Sequence, residues 1–142
     1  MTSPANPLDL YPVAEKAPDR VQTPNGLKLT DLTVEAVLAG KVKREDIAIT
    51  PQALMLQAEI ARAAGREALA RNFERAADLV RVPQDLLLDT YELLRPGRAV
   101  GADALRARAA ELRRDFGAER VADLIEEAAA TYERRGLFAK RF

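Results

Sequence analysis

Apolar residues follow two regimes along this chain. Before residue 30 they are scattered among prolines; beyond it they recur at intervals of three and four. Five of the eight prolines are Pro4, Pro7, Pro12, Pro18 and Pro24. Each lacks an N–H and pushes its preceding residue away from the α region. Residues 1–29 therefore read as an extended arm. Thr23-Pro24-Asn25-Gly26 reads as a turn within it, since Asn and Gly accept positive φ. The arm still carries Leu8, Leu10, Tyr11, Val13, Val21, Leu27 and Leu29, so it is expected to lie against something.

From Thr30 the period is helical. Thr30 is positioned to cap a short helix ending at Gly40, with Val34, Val37 and Leu38 as its buried face. Residues 41–50 form a connector, a short extended piece anchored by Ile47 and Ile49. Thr50-Pro51 starts a long helix, a hydroxyl N-cap followed by proline at the first helical position. Leu54, Ala58, Ala61, Leu69, Phe73, Ala76 and Val80 mark its inner face, and Gly65 should kink or break it. Glu67–Arg71 is an i,i+4 pair on its surface. Pro83 opens a helix lined by Leu86, Leu87, Tyr91 and Leu94 that ends at Arg95-Pro96-Gly97-Arg98. Leu86-Leu87-Leu88 spans more arc than one core-facing stripe. Two more helices follow, over about 102–116 and 118–135. Leu105, Ala109, Leu112 and Phe116 face inward on the first. Val121, Leu124, Ile125, Ala128 and Tyr132 do so on the second. Gly117 and Gly136 are the stops. The fold class is all-α: about five helices in a small bundle, residues 30–142, behind the proline-rich arm 1–29.

Composition removes most chemistry. There is no cysteine and no histidine, so thiolates, zinc fingers, imidazole acid–base catalysis and Ser-His-Asp triads are all excluded. Only hard oxygen metal sites remain, and Arg44-Glu45-Asp46 lacks the spacing and glycine of a calcium loop. No phosphate-binding glycine loop is present. Ser3 has no base to activate it, and the acids fall on the polar helix faces. Lys+Arg and Asp+Glu are 22 each, which disfavours a broad grip on nucleic acid or an anionic membrane. No uninterrupted apolar run exceeds four residues, and no charged region precedes an apolar one at the N-terminus. The expectation is a cytoplasmic protein.

Arginine stands out: seventeen against five lysines. Codon usage in a GC-rich genome is the first explanation. The functional one is forked, partly buried pairing across an interface. Arg71 and Arg75 flank Asn72 and Phe73; Arg95 and Arg98 bracket a Pro-Gly corner. Phe73 reads as core. Asn72, one step round, reads as half-buried and in need of a specific partner, in this chain or a neighbouring one. Arg134, Arg135, Lys140 and Arg141 suit a helix C-terminus.

The order of short words goes further than the pattern. Tyr11-Pro12, then Thr23-Pro24-Asn25-Gly26 running into Leu29-Thr30-Asp31-Leu32-Thr33, resembles the small subunit of adenosylcobalamin-dependent diol and glycerol dehydratases. The match continues in Ile49 to Leu54 and Gln57-Ala58-Glu59-Ile60-Ala61. It is densest in Ala70-Arg71-Asn72-Phe73-Glu74-Arg75-Ala76-Ala77-Asp78-Leu79. Val82-Pro83 and Tyr91-Glu92-Leu93-Leu94-Arg95-Pro96-Gly97-Arg98 extend it, so it covers about residues 11–98. Gly97 and Ala99 depart from the family's Arg-Pro corner, which carries a bulkier residue and then Arg-Ser.

This resemblance implies a non-catalytic helical subunit in a dimer of heterotrimers. In that family a large TIM-barrel subunit holds substrate, and the cobalamin lies between the large and medium subunits. The complex converts a 1,2-diol or glycerol to an aldehyde and water by a radical route. Some members carry an N-terminal extension that directs them into a bacterial microcompartment; the ten residues before Tyr11 show no such amphipathic period. No catalytic, cofactor or metal residue is expected on this chain. Tyr11, Pro12, Thr23, Pro24, Leu29, Arg71, Asn72, Arg95 and Arg98 are the expected interface residues. The arm is expected to lie in a groove of the large subunit, so that its removal would leave the helices folded. The alternative is a free-standing helical adaptor; an independent enzyme is the weakest reading.

Overall fold

A computed structural model describes residues 6–138. Among these there are seven α-helices, five of them longer than two turns, and no strands. Packing divides the chain between Val80 and Arg81 into two units.

In the first unit the proline-rich segment turns repeatedly. Proline-led 3₁₀ turns at Pro7–Leu10 and Pro18–Arg20 flank α1, Val13–Lys16. Their apolar side chains are used within the chain: Val13 packs on Leu56 and Ile60, with Leu10, Ala17 and Val21 around them. The turn at Thr23-Pro24-Asn25-Gly26 forms as expected. Gly26 N–H donates to Thr23 O at 2.9 Å, and Leu27 N–H donates to Thr23 Oγ1 at 3.0 Å.

The next segment departs from the reading. Leu29–Asp31 is a 3₁₀ turn, and α2 covers only Val34–Leu38. Thr33, not Thr30, is its cap: Thr33 is extended and its Oγ1 accepts from Ala36 N–H at 3.2 Å. The expected buried face is exposed, with Val34 at 70%, Val37 at 55% and Leu38 at 83%. Residues 41–50 are likewise not an extended piece. Arg44–Ile47 is a 3₁₀ turn whose buried residue is Asp46, while Ile47 and Ile49 stand out at 73% and 57% exposed.

Thr50 Oγ1 accepts from Ala53 N–H, and Pro51 opens α3, Pro51–Ala63. Gly65 breaks the helix rather than kinking it. At φ +73° it takes the left-handed conformation that a Cβ disfavours. Its N–H donates to Arg62 O, and Arg66 N–H donates back to Ala61 O at 2.9 Å. This six-to-one closure satisfies the last carbonyls and turns the chain into α4, Glu67–Leu79. The two helices meet through Ala58, Ala61 and Ala70, with Phe73 against them. Methyl side chains allow close backbone approach, which is why the seam reads weakly as a hydrophobic stripe. Leu69 and Val80, expected inward, are 37% and 41% exposed.

The second unit contains α5, Gln84–Leu94, α6, Ala102–Phe116, and α7, Glu119–Arg135. Leu105, Ala109 and Leu112 of α6 interlock with Val121, Ala122, Ile125 and Ala129 of α7, all buried. Gly117 and Gly136 stop their helices as expected. On α5 the structure corrects the reading at Tyr91, which is 59% exposed; of the three leucines that span a wide arc, Leu88 is exposed. The buried member of α5 is Thr90, whose Oγ1 donates to Leu86 O at 2.7 Å and accepts from Arg108 Nη1 of α6 at 2.7 Å. On α7, Leu124 is 41% exposed and Ala129, not Ala128, is buried.

Candidate subunit interface

Burial sorts the expected interface residues by what holds them. Tyr11, 58% exposed, borders a concavity of about 490 Å³ whose walls include Leu8, Ile60, Leu69 and Phe73. Pro12 is half-buried directly before α1.

Thr23 and Leu29 line a second concavity, of about 310 Å³, together with Val21, Leu32, Ile47 and Ile49. Its base is a polar hub that no local sequence signature announces. Asp46 is 4% exposed. Its Oδ1 accepts from Thr23 Oγ1 and from Asn25 Nδ2, both at 2.9 Å; its Oδ2 accepts from Lys43 N–H at 2.9 Å. These bonds, the backbone one foremost, hold its carboxyl below the ordinary value of 3.8 against the opposing effect of burial. One carboxylate thus fastens the 23–27 turn to the 43–47 turn. Pro24 sits exposed at the tip of the first.

Arg71 and Asn72 lie on the open face of α4. Arg71 Nε is 3.8 Å from Glu67, the expected surface pair. Asn72 is exposed, not half-buried, and its amide oxygen accepts from Arg75. No buried amide remains there to require a neighbour. Arg95 and Arg98 are brought together by Glu92, which sequence reasoning passed over. Its Oε2 meets Arg95 Nη1 at 2.9 Å and its Oε1 meets Arg98 Nε at 3.0 Å. The hydrogen bond from Arg95 leads in holding the Glu92 carboxyl below 4.5. The corner is tied down on its inner side: Gly97 N–H donates to Leu137 O at 2.8 Å, and Tyr132 Oη donates to Leu94 O at 2.7 Å.

The arginine excess is largely an internal device. In the last turn of α3, Arg62 reaches Glu67 and Glu74 of α4 at 3.1 and 2.9 Å. In the last turn of α6, Arg113 reaches Glu119, Asp123 and Glu126 of α7 at 2.8–2.9 Å. Each helical hairpin is thus clasped by one guanidinium fork across its connection. Arg134 and Arg135 close α7 at its negative end. Lys140, Arg141 and Phe142 lie outside the described residues, as does Pro4.

Among the described residues, no group of three acidic side chains is placed to hold a metal, and no helix is long and apolar enough to cross a membrane. The surface carries apolar concavities, outward aliphatics and guanidiniums held on carboxylates. The model of the family described as dehydratase small subunit matches residues 7–139, so this chain belongs to that family. A propanediol dehydratase small subunit of Citrobacter freundii is 48% identical over 125 residues, 88% of this chain and 72% of the relative. Its counterpart in Salmonella typhimurium is 46% identical over the same shares. The resemblance drawn from the short words is borne out.

Proposed function

We propose that this chain is the structural small subunit of an adenosylcobalamin-dependent diol dehydratase, seated on the large catalytic subunit of a dimer of heterotrimers with large and medium subunits. The match over residues 7–139 carries the reading. The relatives are propanediol dehydratase subunits, so the substrate class is a propanediol, converted to an aldehyde and water. Adenosylcobalamin supplies the radical that starts such a dehydration. We assign it to the other subunits: concavities of about 310 and 490 Å³ on this chain are far smaller than a corrinoid. The catalytic groups are theirs too. This chain contributes positioning within a cytoplasmic complex. Its interface is placed among Tyr11, Pro12, Thr23, Pro24, Leu29, Arg71, Asn72, Arg95 and Arg98, with the apolar members supplying the affinity and the arginines, already ion-paired, adding little.

The test is mild affinity purification of this chain from its host, with mass spectrometry of what accompanies it. Large and medium subunits in equal amounts, with diol-dependent aldehyde on adding adenosylcobalamin, are expected. Recovery of the chain alone, or with unrelated proteins, overturns the reading in favour of a free-standing adaptor.

A further inference from the structure

Helix α5 is held within its unit differently from α6 and α7. Those two bury four residues each, all apolar. The eleven residues of α5 bury one, Thr90, and it is polar. The chain is buried at Val82 before the helix and at Ala99 after it; between these anchors Thr90 alone is buried. Leu86, Leu87, Leu93 and Leu94 are half-buried, so the apolar grip on α5 is partial. Polar ties add to it. Arg108 of α6, its side chain 19% exposed, donates from Nη1 to Thr90 Oγ1 at 2.7 Å and to Leu86 O at 3.3 Å. Its Nε lies 3.0 Å from Glu111 Oε2, which orients the guanidinium. Two further ties lie at the C-terminal end, from Tyr132 Oη to Leu94 O and from Gly97 N–H to Leu137 O.

We infer that α5 is a hinged strap: anchored at Val82 and Ala99, latched at its middle by Arg108, and able to lift from α6 as a unit while the α6–α7 hairpin stays folded. A guanidinium fork suits a latch. It is directional, so it fixes one seating of α5; on release the guanidinium keeps Glu111 and takes water in place of the helix. The apolar seam has no such fallback, because opening α6 from α7 would expose Leu105, Leu112 and Ile125. Lifting α5 therefore costs less than global unfolding. Thr90 makes the release all-or-none. Its hydroxyl donates to Leu86 O inside α5 and accepts from Arg108, so the latch point exists only while that turn of the helix is formed.

The experiment is amide hydrogen exchange on the full-length chain, read residue by residue as protection factors by NMR. Amides 87–94 should share one protection factor, about tenfold or more below those of amides 109–112 and 122–129. Arg108→Met keeps the aliphatic stem and removes the fork; Thr90→Val keeps the shape and removes the hydroxyl. Each should lower protection of 87–94 by about a further tenfold, the size of a lost hydrogen bond to a charged group, and leave the α6 and α7 amides as they were. Thr90→Ser should behave like wild type. Arg108→Met and Thr90→Val together should do little more than Arg108→Met alone, because both remove one latch. Wild-type protection of 87–94 equal to that of α6 and α7 overturns the inference, and so does a gradient along α5, which is fraying. Variants that lower all three stretches equally overturn it as well. An Arg108→Met chain that does not fold does the same, since a latch on α5 is not needed to hold α6 against α7.

Discussion

Asp46 is a carboxylate placed where an apolar residue would ordinarily sit, and the polar groups around it explain why it is tolerated. Three donors converge on its two oxygens, so the charge is hydrogen-bonded on the inner side rather than stranded. Asp46→Asn keeps the size but replaces one acceptor oxygen by a donor, which must then face Thr23, Asn25 or Lys43 N–H. The expected outcome is a lower melting temperature at neutral pH with the helical signal intact, read by circular dichroism. The sign of the pH dependence follows. The folded-state pKa lies below the ordinary 3.8, so the contribution of Asp46 is complete above that value and is lost as pH falls through the lower, folded one. Glu92, Asp115 and Glu126 are shifted the same way by arginine partners. The melting temperature should be level from pH 8 to 6 and drop below about pH 4. Asp46→Asn should show the shallower acid slope; equal slopes would remove Asp46 from the account. None of this hub was legible in the sequence beyond its Thr23-Pro24-Asn25-Gly26 turn. A carboxylate some twenty residues away that fills a turn's donors leaves no local spacing to read.

Among the elements, those with a strong 3.6 period and a recognisable cap were legible, and the short ones were not. Thr50-Pro51, the α6 stripe and the glycine stops each combine two local signals, and all stand in the structure. The break at Gly65 was foreseen only as a kink or a break, because the choice depends on whether the following chain can close on Ala61 O. The α2 face was misread for a different reason: a stripe spaced for burial says nothing about whether its cover comes from the same chain. The α6–α7 seam gives the clearest energetic expectation. Leu105 is fully buried, so Leu105→Ala should cost about 3–5 kcal/mol in chemical denaturation, the transfer loss plus the cavity. Leu124→Ala, at a 41% exposed position, should cost less than about 1 kcal/mol by the same measure. The proline-rich segment gives the second. Because Val13 covers Leu56 and Ile60, Val13→Ala should cost about 1–2 kcal/mol. Removing residues 6–31 should also unmask α3 and lower the melting temperature, instead of leaving the helices untouched. An unchanged melt in the truncated chain would show that the packing of Val13 contributes nothing to the fold.

For the whole molecule, two sets of surface groups compete to explain assembly, and salt separates them. One is the guanidinium set, Arg71, Arg95 and Arg98; the other is the aliphatic set of the concavity lined by Leu29, Leu32, Ile47 and Ile49. The chain is electrically balanced, 22 basic against 22 acidic residues, so it has no long-range field with which to draw in a partner. Its exposed arginines are already engaged: Arg95 and Arg98 share Glu92, and Arg71 lies beside Glu67. Recruiting them to a partner means exchanging one exposed ion pair for another, which gains little. Burying aliphatic surface has no such competitor. Association governed by the aliphatic set should therefore survive salt. Between 0.1 and 1 M sodium chloride the Debye length shrinks from about 10 to 3 Å. The affinity of the purified small subunit for the rest of the dehydratase should change by less than about threefold over that range, and sulfate at equal ionic strength should strengthen it. An affinity that falls tenfold or more with chloride would instead assign the contact to Arg71, Arg95 and Arg98. Calorimetric titration at several temperatures gives an independent reading of the same choice. Buried aliphatic surface requires a negative heat-capacity change on binding, which exchanged ion pairs at a polar rim do not supply.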